Sequence, residues 1–351
     1  MKKLFTKLIA FVLLIGILGS AGLIVGYQQL QKPVSDTSET YVFTVSSGST
    51  VKSVASQLKG EGLVRSSFVV EVVARLQSLQ DIKAGNFIID SSWDVKEILT
   101  VINDATKTIS NEVSITFIEG SWAKDFALKL SNMTSVSEEE LLTLWNNEDY
   151  VRSLIESYEF LTEEIFHPAA KVLLEGYLFP ETYNFFVDTT PEAVTKRLLD
   201  QTNRIYQRNK QLFDQSDRSI HEIFTLASIV QFEASKVEDM KLVASVFYNR
   251  LAINMPLQSS VTICYALYEY DDWRACESNP NIESLYNTYK YQGLTPGPIL
   301  NPGEQALIAT LQPATSDYLF FMADVYGDGT VYYARTYAEH QANVDKYLRG
   351  R

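Results

Sequence analysis

Apolar and polar positions along this chain switch between a period of two and a period near 3.6, and the switches mark its elements. Residues 41–45, YVFTV, alternate as a strand, and Ser46 to Ser49 supply a turn. Val51, Val54, Ala55 and Leu58 then line one helical face. A second helix is expected around residues 68–76, a returning strand at AGNFII (84–89), and an amphipathic helix in WDVKEILTVIND (93–104). Residues 41–110 therefore read as a small α+β module. It carries no catalytic cluster, which suits binding or spacing.

The pattern restarts at residue 111. NEVSITFIEG (111–120) reads as a strand and SWAKDFALKL (121–130) as a helix. Residues 135–164 look helical, with an N-cap signal at Ser137 ahead of a Glu run. LLEGYLFPETYNF (173–185) breaks that period; rich in aromatics and holding Gly176 and Pro180, it is either a plug for the core or a groove wall. Helical spacing returns from Ser219 to about Asn254, with capping boxes expected at Ser219/Glu222 and Ser235/Glu238. A loop-rich region follows, centred on GLTPGPILNPGEQAL (293–307). YLFFMADV (318–325) reads as a buried strand, with TVYYAR (330–335) its hairpin partner across Gly327-Asp328-Gly329. Residues 111–351 thus form a larger domain, and the fold class is α+β.

One segment fits neither period. Residues 8–27, LIAFVLLIGILGSAGLIVGY, carry no charge, and about twenty such residues match a bilayer core. Lysines precede the run and polar sequence follows it, so residues 1–7 are expected in the cytoplasm and the rest of the chain outside the cell membrane. A cleaved signal peptide, cut near Ser20-Ala21, is the rival; the apolar run continues past that point and exceeds an ordinary signal core. Residues 28–40 are polar, with Pro33, and read as a linker.

Composition narrows the function. With 43 acidic against 30 basic side chains and a net charge of −13, the chain has no basic stripe to neutralise phosphates, so nucleic acid is excluded as a partner. The two cysteines, Cys264 and Cys276, give no paired-CxxC zinc site, and His167, His221 and His340 lack metal-ligand spacing. No metal or other cofactor is expected. An extracytoplasmic setting permits a Cys264–Cys276 disulfide without requiring it. A neutral partner held by hydrogen bonds and stacking fits 20 Tyr and 18 Phe.

The sharpest chemical signal is TLASIVQFEAS (225–235), where Glu233 shares a helical face with Leu226 and Val230. Glu222 and Glu238 are explained as helix-start residues, and Glu233 is not. It sits at a helix end, where the dipole disfavours a negative charge, and its stripe is apolar. A carboxylic acid kept protonated near neutrality is what a general acid for glycosidic cleavage requires. The alternative is a Glu that swings out to solvent, and spacing alone leaves the two even.

The segments LASIVQFEAS (226–235) and KLVASVFYNRLAINMPLQSSVTICYAL (241–267) closely resemble the signature of the endolytic murein transglycosylase (MltG/YceG-like) family, which runs ASIVEKE, VFxNRL, MPLQSDPTV. The resemblance extends to EGYLFPETYNF (175–185), YNTYKYQGLTPGPILNPG (286–303), YLFFMADVYGDG (318–329) and YARTYAEH (333–340). It also implies that residues 41–110 are a LysM-like module. The family's catalytic acid falls on Glu233, and the first Glu of its motif is Gln231 here. The resemblance implies nonhydrolytic cleavage within peptidoglycan glycan strands, between N-acetylmuramic acid and N-acetylglucosamine. Glu233 would protonate the bridging oxygen and then act as base on the muramoyl 6-hydroxyl, closing a 1,6-anhydro ring. The sugar supplies its own nucleophile, so no second carboxylate is needed.

Other motif residues are expected to hold substrate: Glu175, Tyr177 and Glu181 as groove wall, with Tyr177 as stacking platform; Gln258, Ser259 and Thr262 as polar contacts; and Asn287, Thr288 and Tyr289 as hydrogen-bonding groups. Asn249-Arg250 is expected to pin its helix to the 293–303 loop, while Tyr337 and His340 are either cleft or packing residues. The chain departs from the family at Ser260 (Asp), Val261 (Pro), Thr295 (Pro) and Val331 (His). The implied role is termination of strands during polymerisation, with cell-wall elongation proteins as partners. Two rivals stand beside it: a hydrolytic muramidase using Glu175 or Glu181 as second carboxylate, and a silent peptidoglycan-binding scaffold.

Overall fold

The computed structural model describes residues 26–109, 111–268, 281–324 and 326–349, which fall into two compact units divided between Asn111 and Glu112. Residues 8–25 of the expected membrane span, and Cys276, lie outside the described residues. Among the described residues no helix is long and apolar enough to cross a membrane.

In the first unit, β1 (Thr40–Val45) pairs antiparallel with β2 (Gly85–Asp90), Phe43 opposite Phe87, and β2 pairs with the two-residue β3 (Thr108–Ile109). Three helices pack on this sheet: α1 (Val51–Gly60), α2 (Ser67–Leu76) and α3 (Val95–Ile102). Thr50 with Ser53 closes a capping box on α1, and Asp94 with Glu97 closes one on α3, satisfying the first backbone donors of each. Phe43, Leu58, Val70, Phe87 and Leu99 are fully buried between the layers. Each such side chain contributes about 1.5–3 kcal/mol relative to exposure. The unit is α+β.

The second unit is also α+β. Its strand β4 (Glu112–Thr116) pairs antiparallel with β5 (Thr182–Phe186), Ile115 opposite Tyr183. The intervening chain holds α4 (Ala123–Ser131), α5 (Glu138–Trp145) and α6 (Glu148–Ile155). The single helical stretch expected over 135–164 is therefore two short helices. Asn147, whose side chain accepts from the Tyr150 N–H, starts a new one where the first ends. Ser137 caps α5 in a box with Glu140. A long helix absent from the sequence expectations, α7 (Pro191–Asp214), follows β5.

The centre of this unit is α8 (Ile220–Glu233), capped by Ser219 and Glu222. From Ile223 to Val230 every side chain is buried, so α8 is a helix enclosed on all sides rather than one with a single apolar face. The next helix, α9 (Val237–Ala252), starts one residue later than its expected capping box: the N-cap is Lys236, without a side-chain bond. Then come α10 (Ser260–Leu267), α11 (Glu304–Leu311), the hairpin of β6 (Phe320–Ala323) with β7 (Val331–Ala334), and α12 (Tyr337–Val344). β6 is half-buried along most of its length, not buried throughout.

The aromatic segment before β5 plugs the core. Leu174, Tyr177 and Leu178 are fully buried, and the Tyr177 ring packs against Phe160 and Phe224. Gly176 makes this entry feasible. Its φ is +85°, and a Cβ there would lie 2.2 Å from the Pro298 Cβ.

Candidate active site

α8 releases Glu233 at its last residue, where the helix leaves the core and Ala234 turns the chain into extended conformation. Glu233 is half-buried and lines a cleft of about 390 Å³ with Glu119, Gln231, Lys236, Asp239 and Val331. The Ser259 hydroxyl donates to its Oε1 at 2.5 Å. Ser259 is itself fixed: its N–H donates to the Thr288 hydroxyl at 3.1 Å, and the Thr262 hydroxyl donates to its carbonyl at 2.7 Å and meets the Thr288 hydroxyl at 2.9 Å. Thr262 and Thr288 are buried, so three of the expected contact residues form a connected support, through which Ser259 reaches the acid.

A cation stands nearby. Arg250, largely buried on α9, donates to the carbonyls of Leu319 and Leu257, each at 2.6 Å. Burial lowers its pKa below the ordinary guanidinium value, and the nearby acidic groups of Glu233 and Tyr289 oppose that shift. Asn249 donates to the Ser316 and Tyr318 carbonyls, both at 2.9 Å. The Asn249-Arg250 pair therefore pins α9 to residues 316–319 and 257, not to the 293–303 loop.

Apolar Met240, Ala323 and Val331 line the cleft, and the apolar stripe expected on the Glu233 helix is buried up to Val230. Beyond it the acid meets Ser259, the field of Arg250 and a cleft that also carries Lys236, Asp239 and Glu119. Asp239 is engaged by the Tyr333 hydroxyl at 3.0 Å.

The other expected substrate residues divide. Gln258 is exposed, in a left-handed conformation with φ 50°, and donates its N–H to the Thr288 carbonyl. Tyr289 is 40% exposed. Both border the Ser259 support and can meet a ligand. Asn287 is buried, its amide donating to the Ile282 carbonyl and its Oδ1 accepting from the Tyr289 N–H, so it shapes the loop. Glu181 is exposed beside β5, where its carbonyl accepts from the Phe117 N–H, and it is not among the cleft residues.

Glu175 and Tyr177 have no surface to offer a sugar, being 1% and 0% exposed. The Tyr177 hydroxyl is bonded to His221 Nδ1 at 2.7 Å, so a stacking platform there is corrected to a core ring. Glu175 Oε1 accepts from the Ala123 N–H at 2.9 Å and from Asn301 Nδ2 at 3.2 Å. Burial pushes its pKa up to about 8. It is an internal acid that holds the start of α4.

Residues 43–346 match the YceG-like family. The chain belongs to that family. Among its relatives, an endolytic murein transglycosylase of Bacillus subtilis is 32% identical over 92% of this chain and 89% of the relative. An endolytic murein transglycosylase of Streptococcus pneumoniae is 30% identical over 98% of this chain, which spans 65% of that relative's length. A crystal structure of a yceG-like protein from Listeria monocytogenes superposes with a TM-score of 0.62 at 28% identity, covering 87% of this chain and 99% of the other.

Within this YceG-like chain the residue departures also separate. Val331 lines the Glu233 cleft and Ser260 opens α10 beside Ser259. Thr295 lies elsewhere, bonded to the Gly297 carbonyl in a second cavity beside His221. His340 stacks on Phe320 and Tyr337 packs near the same ring; neither lines the Glu233 cleft. Sequence reasoning missed Glu119, Lys236 and Asp239 as cleft residues. For Glu119 a signal existed: a polar residue ahead of Gly120, where a strand gives way to a helix.

Proposed function

We propose that this YceG-like chain is a lytic transglycosylase that cleaves peptidoglycan glycan strands internally and leaves 1,6-anhydromuramoyl ends. The observation that carries the reading is Glu233, a half-buried carboxyl delivered by a rigid core helix into a cleft and held there by Ser259. Two relatives bearing the name endolytic murein transglycosylase support it.

In this reading Glu233 gives its proton to the bridging oxygen as the bond from that oxygen to muramoyl C1 breaks, and the N-acetylglucosamine leaves with a free hydroxyl. The muramoyl 6-oxygen bonds to C1 and its proton returns to Glu233. Atoms balance without water, and the acid is regenerated. Gln258 and Tyr289 meet the sugars at the rim.

The anchor at residues 8–27 would hold the catalytic unit outside the cell membrane, close to strands being polymerised. There it would end their elongation beside the synthetic machinery, and the small LysM-like module would bind glycan. These finer parts are supported by the uncharged apolar run and by the resemblance.

A hydrolytic muramidase has one observation in its favour, since Glu119 shares the cleft. The carboxylates expected in that role do not serve it: Glu175 is sealed in the core and Glu181 lies outside the cleft. Product analysis of peptide-free glycan strands decides. Anhydromuramoyl ends are expected, and reducing ends alone overturn the lyase.

A further inference from the structure

The loop between β4 and α4 presents Glu119 to the cleft, and an unusual amount of structure serves that one exposed side chain. Its backbone is fastened from below. The Gly120 N–H donates to the Asn301 carbonyl at 2.9 Å, and the Ser121 carbonyl accepts from the Asn301 N–H and Nδ2, each at 3.1 Å. Asn301 is fully buried, and its Nδ2 also reaches Glu175. The sealed acid therefore braces both ends of the loop, through Asn301 and through Ala123.

The carboxylate is bracketed as well. Gln231 Oε1 accepts from the Gly303 N–H at 2.9 Å, which fixes the amide so that Nε2 faces Glu119 Oε2 at 3.4 Å. Gly303 leaves the space for it. A Cβ there would lie 2.0 Å from Glu119 Oε1, while the φ of −80° at Gly303 is ordinary for any residue. Exposed surface glutamates need no such arrangement. Of the charged groups around it, Glu233, Lys236 and Asp239 share the cleft. Glu304, next to Gly303, is taken by Arg208 and Asn209.

We propose that Glu119 is a substrate-contacting carboxylate of the cleft, accepting hydrogen bonds from sugar hydroxyl or acetamido N–H groups, and that Gln231 is the residue that positions it. The assignment rests on the cleft reading given above. An ionised carboxylate is a strong acceptor for such donors, and a charge-assisted bond of this kind exceeds a neutral one about twofold. Gln at 231 supplies a donor on that side at any pH. A carboxyl at 231 would supply one only while protonated, because two carboxylates this close cannot both ionise freely.

The test uses the full chain in detergent with peptide-free glycan strands as probe. Binding is measured in the Glu233→Gln background, so that turnover is not needed for the readout. Glu119→Ala is expected to weaken binding about tenfold or more. Gly303→Ala, which displaces the Glu119 carboxylate without altering it, should lose binding in the same direction. In the otherwise wild-type enzyme Glu119→Ala should raise KM. Gln231→Glu should match wild type when both are measured at about pH 4, within the ordinary carboxylate range, and should fall toward Glu119→Ala at about pH 7, where both carboxyls ionise. Glycan affinity unchanged in both Glu119→Ala and Gly303→Ala, with near-ultraviolet circular dichroism showing intact folding, overturns the proposal. Failure of the wild type to release anhydromuramoyl ends overturns the transglycosylase reading instead, and the binding measurement still decides the role of Glu119.

Discussion

Glu175 and Glu233 lie in the same unit, each beside a helix terminus, and they have opposite fates. Glu175 is enclosed among Tyr265, Tyr268 and Tyr286, receives the Ala123 N–H and the Asn301 amide, and is pushed up to about 8 by burial. Glu233 stands half-open at a cleft and takes a short hydrogen bond from the Ser259 hydroxyl. Glu175, with its large upward shift, is an acid no substrate can reach. Burial perturbs titration, and access decides whether the perturbed group can do chemistry. A shifted carboxyl is a site only where a cleft meets it.

The comparison can be broken most forcefully on the sealed side. Gly176→Ala combines a left-handed backbone with a Cβ overlapping Pro298, and should cost about 3 kcal/mol or more, seen as a large drop in melting temperature or loss of soluble protein. A variant with the wild-type melting temperature would mean the aromatic plug is looser than described.

The pH dependence of Glu175 comes next. Its pKa is raised in the folded chain, so between about 4.5 and 8 the native state holds a proton that the unfolded state releases. Stability from this group is full below that window and is lost as pH rises through it, by an amount on the order of a few kcal/mol. Glu175→Gln cannot ionise and should flatten that limb of the melting-temperature profile. Parallel profiles for the two proteins would refute a neutral Glu175.

On the open side, Ser259→Ala removes the hydroxyl that holds the Glu233 carboxyl. A fall in kcat of about tenfold with little change in stability is expected, the size of one lost hydrogen bond. The smallest effect belongs to Tyr177→Phe. It removes one internal bond to His221, should cost about 1 kcal/mol, and should leave KM for glycan strands unchanged. A raised KM would return Tyr177 to the substrate surface.

Local periodicity makes much of this legible. The strand at 41–45, the helices around 51–60, 68–76 and 95–102, the Ser137 and Ser219 caps and the terminal hairpin all carry their signals within a few neighbours. Glu233 is legible because a carboxyl interrupts an apolar helix. What sequence does not show is which aromatic residues face inward. Tyr177 and Tyr289 look alike as side chains in glycine- and proline-flanked loops, yet one is core and the other rim. Burial there is decided by contacts such as Gly176 against Pro298, between residues 122 positions apart, which no window of neighbours contains. Glu119 is hidden for the same reason: its partners, Gln231 and Gly303, are distant in sequence and come together only in the fold.

The division between the two acids is tested most directly by Glu233→Gln, assayed for anhydromuramoyl ends released from purified glycan strands beside a thermal melt. The account predicts a loss of at least about a hundredfold in turnover with the melting temperature essentially unchanged. Wild-type turnover in that variant would contradict it.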